Sequence, residues 1–182
     1  DMVLFAVPRA LLSHPEINAH LDAGVVRQFD NVHLGFAVDT DRGLYVPTIR
    51  NAHLLSLSAL SAEAQRLGAL CQEGKAGPEE LVPATFTVTN LGALGIESFT
   101  PVLNPPQIGI LGVSAVAPRP QMAPEPGPGA GSSGFTAADL RWIPSIGLSL
   151  TIDHQGIDGA PAARFLKALA EYIADFDLTL TL

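Results

Sequence analysis

Ile152-Asp153-His154-Gln155-Gly156-Ile157-Asp158-Gly159 joins an alternating apolar run to a helical one. Upstream, Ile146-Gly-Leu-Ser-Leu-Thr-Ile152 alternates apolar with small or polar residues, the pattern of a half-buried strand. Downstream, Pro161 stands in a first helical turn, and Phe165, Leu166, Leu169 and Ile173 recur at helical spacing. A strand, a short turn and a helix in this order place His154 and Asp158 between two rigid elements, where loops commonly present reactive side chains. On spacing alone, the same residues serve equally well as helix caps and a surface histidine.

Outward from this unit the chain continues to mix elements. Met2 to Ser13 carries Leu4, Val7, Leu11 and Leu12 on one helical face and stops at His14-Pro15. Asn31 to Asp39 reads as a strand, and Gly43 to Ile49 as a second one after an Asp-Arg-Gly turn. Ser56 to Cys71 is the clearest helix, with a stripe through Leu57, Leu60, Ala64 and Leu67. Phe86 to Asn90 and Ile108 to Val116 add strands. Residues 117–138, dense in Pro and Gly, predict a flexible connection too poor in large apolar groups to pack. The mixture predicts a single α/β domain, a layered sandwich on a mixed β-sheet.

Composition narrows the function classes. At 182 residues and 47% apolar content the chain can bury one substantial core. No apolar run approaches the roughly 20 residues of a membrane helix, so no membrane partner is expected. A net charge of −8 with only two lysines argues against nucleic acid and anionic membranes. Any anionic coenzyme must then be met by local arginines or backbone amides. Cys71 is the only cysteine; beside Leu70 in a helical stripe, it reads as a small core residue. His14, His20, His33 and His53 are scattered without zinc-like spacing, so no metal is expected. Neither a phosphate loop nor a Gly-x-Ser-x-Gly elbow is present.

Four segments in order give the chain a family likeness. Asp153, His154, Asp158 and Gly159 match the Asp-His-Arg, two residues, Asp-Gly signature of the dihydrolipoamide acyltransferases, the core of 2-oxo acid dehydrogenase complexes. Phe36-Ala-Val-Asp-Thr40 with Gly43-Leu-Tyr-Val-Pro-Thr-Ile-Arg-Asn-Ala52, Thr85-Phe-Thr-Val-Thr-Asn-Leu-Gly92, and Asn104-Pro-Pro-Gln-Ile-Gly-Ile-Leu-Gly112 resemble three further family segments. The resemblance implies a chloramphenicol-acetyltransferase-like fold. It also implies a homotrimer with active sites between neighbours, and assembly into 24- or 60-subunit cores alongside the other components of such a complex. A bacterial cytoplasm, or an organelle matrix, is the implied location. Residues 1–182 would form the catalytic domain, entered after the family's first helix and strand. The lipoyl and peripheral-subunit-binding domains lie outside it.

The implied chemistry moves an acyl group between dihydrolipoyl and coenzyme A, the lipoyl group being carried on another domain. A thiol of pKa about 8.5 needs a base near neutrality to become the nucleophile. His154 matches the family's base, Thr89 its oxyanion-stabilising hydroxyl, and Asp158 a supporting role. The family places the hydroxyl and the histidine on different subunits. Gly159 is expected to supply a backbone conformation that a Cβ hinders, and Asp153 a structural role, with a cation elsewhere as its partner. Gln155 departs from the family's arginine, losing a fixed charge and its forked donors. A catalytically impaired scaffold of the same complex, and a related CoA-dependent acyltransferase with another acceptor, are the alternatives.

Overall fold

Ser56 begins the best-marked helix. Its hydroxyl accepts from the Ala59 amide at 3.2 Å, and helix α2 follows over Leu57–Gln72. Leu60, Ala64, Leu67 and Cys71 form its buried stripe. Cys71 is thus the core residue its position predicts; burial first, then the charge of Glu80, pushes its thiol pKa up.

The computed structural model describes residues 1–122 and 140–176. The remaining elements are helix α1 (Met2–Leu12), strands β1 (Ala19–Asp22), β2 (Val25–Gln28), β3 (Leu34–Phe36), β4 (Val38–Thr40), β5 (Gly43–Tyr45), β6 (Thr48–Ile49), β7 (Phe86–Asn90), β8 (Gly109–Met122) and β9 (Leu140–Ile152), and helix α3 (Gly159–Ala174). A five-stranded sheet has the order β6-β3-β7-β8-β9. Its three inner strands run parallel and its two outer ones antiparallel, the mixed sheet expected. Helix α1 packs against both α2 and α3. Phe86 of β7 meets Phe165 of α3 edge-on, centroids 5.6 Å apart, at the centre of a core that includes Leu11, Leu34, Leu111 and Leu169. Helices on a mixed sheet make the layered α/β sandwich. Among the described residues no helix is long and apolar enough to cross a membrane.

Three expectations are corrected. The strands read over Asn31–Asp39 and Gly43–Ile49 are each divided: β3 and β6 enter the main sheet, whereas β4 and β5 form a separate hairpin. Pro47, with no N–H to give, interrupts the ladder between β5 and β6. A hairpin, β1–β2, lies where no strand was expected. Its turn residues Ala23 and Gly24 both have positive φ (47° and 78°), and alanine there hides the usual turn signature. The third correction concerns residues 117–138. Strand β8 continues through Met122 and β9 begins at Leu140, so the flexible connection is not where the composition put its start; residues 123–139 lie outside those described. Prolines 118 and 120 are tolerated because every second N–H of a two-stranded ribbon points outward and has no ladder partner to lose.

A histidine pair braces the sheet edge. His33 Nδ1 accepts from the Asn51 amide (3.1 Å), where φ is +50°, and His53 Nδ1 accepts from the Val32 amide (3.3 Å). Burial, then the charges of Arg50 and His53, hold His33 below its ordinary pKa. A depressed folded-state pKa means the unfolded chain takes up the proton first. The stability it represents is therefore present above the unfolded value of about 6.5 and lost as pH falls below it. Protonation at Nδ1 also breaks the bond that nitrogen accepts. The urea midpoint is expected to fall between about pH 7.5 and about pH 5.5, and by less in His33→Gln.

Candidate functional site

The turn after β9 is held by its backbone. The Asp153 amide donates to Ile108 O at 2.9 Å, continuing the β8–β9 ladder by one residue. Asp153 O accepts from Gly156 (2.9 Å) and Ile157 (3.2 Å), and its Oδ1 accepts from the Gln155 amide (2.9 Å). Asp153 is structural, as expected, through this local bond rather than through a cation. Ile157 is buried and anchors the turn. A Cβ on Gly156 would stand 3.0 Å from Ile108 Cγ2 and 3.6 Å from Val26 Cγ2, so the glycine lets the turn seat against β8 and the β1–β2 hairpin.

From this seat His154 projects outward, its side chain 73% exposed. Asp158, the residue before α3, makes no side-chain cap bond and turns instead toward the ring, with Oδ1 3.8 Å from Nδ1. The two side chains approach in an open geometry, beyond hydrogen-bond distance. The expectation for Gly159 is not met: a Cβ there meets nothing within 4 Å and its φ is not positive. The Gln155 side chain is exposed, and its contribution to the turn is its main-chain N–H.

Thr89 sits elsewhere. In β7 it pairs with Gly112, between buried Val88 and exposed Asn90, whose Oδ1 accepts from the Gly92 amide at 2.8 Å. The register fixes its separation from His154. Gly112 is three residues from Gly109, which pairs with Ile152, and His154 lies two residues further the same way. At about 3.3 Å per residue the two are roughly 16 Å apart along the strands, at opposite ends of the sheet. One chain therefore brings His154 and Asp158 together but leaves Thr89 out of reach.

Val26 and Ile108, which position the histidine turn, are the residues that sequence reasoning missed. Val26 is an ordinary strand hydrophobe and Ile108 immediately precedes β8, and the contact between hairpin and turn spans most of the chain. A cavity of about 660 Å³ lies by β6 at the far edge of the sheet. Arg66 pairs there with Glu63 (2.8 Å) and Glu80 (3.6 Å), and Arg50 donates to the main-chain oxygen of Glu79 (3.2 Å).

Comparison with known proteins bears on this geometry. The family model of the 2-oxoacid dehydrogenases acyltransferase catalytic domain matches residues 1–181. A Bacillus subtilis relative, the dihydrolipoyllysine-residue acetyltransferase component of an acetoin cleaving system, is 42% identical over 91% of this chain. The chain spans only 38% of that relative's length. The dihydrolipoamide acetyltransferase of Azotobacter vinelandii superposes with a TM-score of 0.85 at 35% identity, covering 98% of this chain and 69% of that one. In that protein the catalytic roles of a serine, a histidine and an asparagine four positions after the histidine were investigated. The cubic core of a pyruvate dehydrogenase multienzyme complex gives 0.84 at 35% identity, covering 98% and 70%. Chloramphenicol acetyltransferase gives 0.59 at 16% identity, covering 94% and 76%, a likeness of fold alone and the one expected.

Proposed function

This chain belongs to the 2-oxoacid dehydrogenase acyltransferase family, as its catalytic domain, and from that membership we propose that it moves an acyl group, acetyl in the first instance, between dihydrolipoyl and coenzyme A. The observation that carries the mechanism is the exposed His154 on a turn locked by backbone bonds. As general base, His154 takes the proton from the coenzyme A thiol. The thiolate attacks the carbonyl of the acyl-dihydrolipoyl thioester, and the tetrahedral adduct carries an oxyanion. When the adduct collapses, the new coenzyme A thioester remains and the leaving dihydrolipoyl sulfur receives the proton from the imidazolium. Atoms and charge balance without a further reactant.

Thr89 is the proposed donor to the oxyanion. Because its place is at the far end of the sheet from His154, the donor reaches a given histidine from a neighbouring copy, which supports assembly around a closed axis. The cubic core among the similar structures supports the same arrangement, with other components of a 2-oxo acid dehydrogenase complex as partners and a bacterial cytoplasm as the setting. The acetyltransferases among the relatives favour acetyl over branched or succinyl groups.

Asp158 supports the histidine without exchanging protons. The pair is 3.8 Å apart and both side chains are largely exposed (73% and 86%), so its worth is under about 1 kcal/mol. The asparagine at the same spacing in the Azotobacter protein fits that reading. Asp158→Asn is expected to lower kcat less than about tenfold, measured by steady-state transfer.

The test is transfer from acetyl-CoA and isobutyryl-CoA to dihydrolipoamide, with faster use of acetyl-CoA expected. A chain that assembles but transfers neither would return the scaffold reading. Transfer to other acceptors and not to dihydrolipoamide would mean a different acyltransferase.

A further inference from the structure

A second cleft, of about 200 Å³, opens beside the histidine brace and is lined by His33, Arg50, Val82 and Pro83. The Asn51 amide donates to His33 Nδ1, so that nitrogen carries no proton and the neutral ring holds its hydrogen on Nε2. Among the described residues nothing accepts from this Nε2–H. Arg50, exposed just after β6, uses one N–H on the main-chain oxygen of Glu79 (3.2 Å) and pairs with no carboxylate among the described residues. Val82 and Pro83 bring apolar side chains, and Val82 O already accepts from Thr48 Oγ1 (2.6 Å). The cleft thus presents N–H donors and a fixed positive charge with no anionic group among its lining residues. Burial first, then the charges of Arg50 and His53, lowers the His33 pKa, so ring and guanidinium stand within each other's field.

We propose that this cleft is a binding site for a phosphate-type anion, held by the Arg50 guanidinium and the His33 Nε2–H. A guanidinium offers a forked pair of N–H groups that matches two phosphate oxygens, and the ring N–H adds a further donor. The ring needs no change of tautomer to bind, because the Asn51 bond has already fixed it. The size fits: about 200 Å³ holds roughly six or seven waters at about 30 Å³ each, enough for a phosphate group and too little for a nucleotide. The larger cavity on the other side of Arg50 has the wrong sign, since Glu63, Glu79 and Glu80 line it and outnumber Arg50 and Arg66. The cleft is also separate from the catalytic turn. Thr85 N–H donates to His33 O (2.8 Å), Thr85 stands level with Ile108, and Ile108 O accepts from the Asp153 amide. His33 and Asp153 are thus three strand spacings apart along one end of the sheet, about 14 Å at about 4.8 Å each. Two sources carry the required chemistry, a free phosphate ester and a phosphate of coenzyme A stretched across from the His154 turn. Only the second rests on the proposed acyl transfer.

Inorganic phosphate is the probe, and the nitrogen resonances of the His33 ring are the readout, with His33→Gln identifying them. At a pH where the ring is neutral, phosphate should shift Nε2 saturably in the millimolar range, and potassium chloride at equal ionic strength should not. Arg50→Gln, at an exposed position, should leave the rest of the spectrum in place and weaken binding by about tenfold or more. Arg50→Lys, which keeps the charge and loses the fork, should fall between. A shift that never saturates, an equal shift with chloride, or an unchanged affinity in Arg50→Gln would each overturn the site. Coenzyme A then separates the two sources. If it shifts His33 at far lower concentration than phosphate, and Arg50→Gln raises its KM about tenfold at constant kcat, the anion is the coenzyme's own phosphate. If it acts no better than phosphate and its KM is untouched in Arg50→Gln, the ligand is a free phosphate ester. A chain that binds phosphate at His33 and transfers no acyl group keeps the site and removes the acyltransferase reading, so the two fail separately.

Discussion

His154→Ala lowers acyl transfer from acetyl-CoA to dihydrolipoamide by about 10²–10⁴-fold, the usual worth of a positioned general base. That is about 3–5 kcal/mol of barrier. The loss is confined to chemistry because the side chain carries no part of the fold. It is 73% exposed, and the turn is held by the Asp153, Gly156 and Ile157 amides and by buried Ile157. Thermal unfolding of the variant should match the parent within about 0.5 kcal/mol. The pH profile supplies a second reading. With the imidazole gone, residual transfer should follow ionisation of the attacking thiol itself, near about pH 8.5. Wild-type turnover in the alanine variant would remove His154 from the mechanism, however well the rest of the fold agreed.

The legible parts of this chain were those where local pattern and tertiary role coincide. The Ser56 cap, the α2 stripe and the strand-turn-helix around His154 each write their periodicity into neighbouring residues, and the fold keeps them. The unread parts depend on pairing at a distance. Nothing local says that Val38–Thr40 leaves the sheet that Leu34–Phe36 enters. Ala23 masks the β1–β2 turn by adopting a conformation alanine rarely takes. The prolines of β8 look like a loop until β9 is laid beside them, when they fall on outward-facing positions opposite Pro144 and Trp142. The site divides in the same way. His154 and Asp158 lie within one turn and were found together, whereas no spacing in the sequence could tell that Thr89 stands at the other end of the sheet. Gln155 also changes meaning. An exposed side chain whose backbone N–H closes onto Asp153 Oδ1 leaves the turn formed without the family's arginine. The turn therefore gives no ground for a catalytically impaired scaffold.

Thr89→Val, which keeps the shape and removes the hydroxyl, should cost about 10²–10³-fold in kcat with little change in KM, because the donor acts on charge that develops only in the transition state. A structural role for Thr89 would instead lower stability and leave kcat per folded site unchanged, since valine suits a strand at least as well. The sharper consequence comes from geometry. If each site takes its histidine from one copy and its hydroxyl from the next, two inactive variants can repair each other. Refolding His154→Ala together with Thr89→Val in equal amounts gives a closed ring in which about a quarter of the interfaces join an intact histidine to an intact hydroxyl. Activity should rise from the background of either variant to about a quarter of the parent's, and subunits mixed without exchange should stay inactive. A site contained within one chain cannot behave this way, because every chain in the mixture lacks one of the two groups. Recovery in the refolded mixture would thus establish that Thr89 and His154 act on the same carbonyl from different copies. Inactivity in a mixture shown to form hetero-oligomers would confine the site to one chain, and the roughly 16 Å that the strand register sets between the two groups would then rule out Thr89 as the donor.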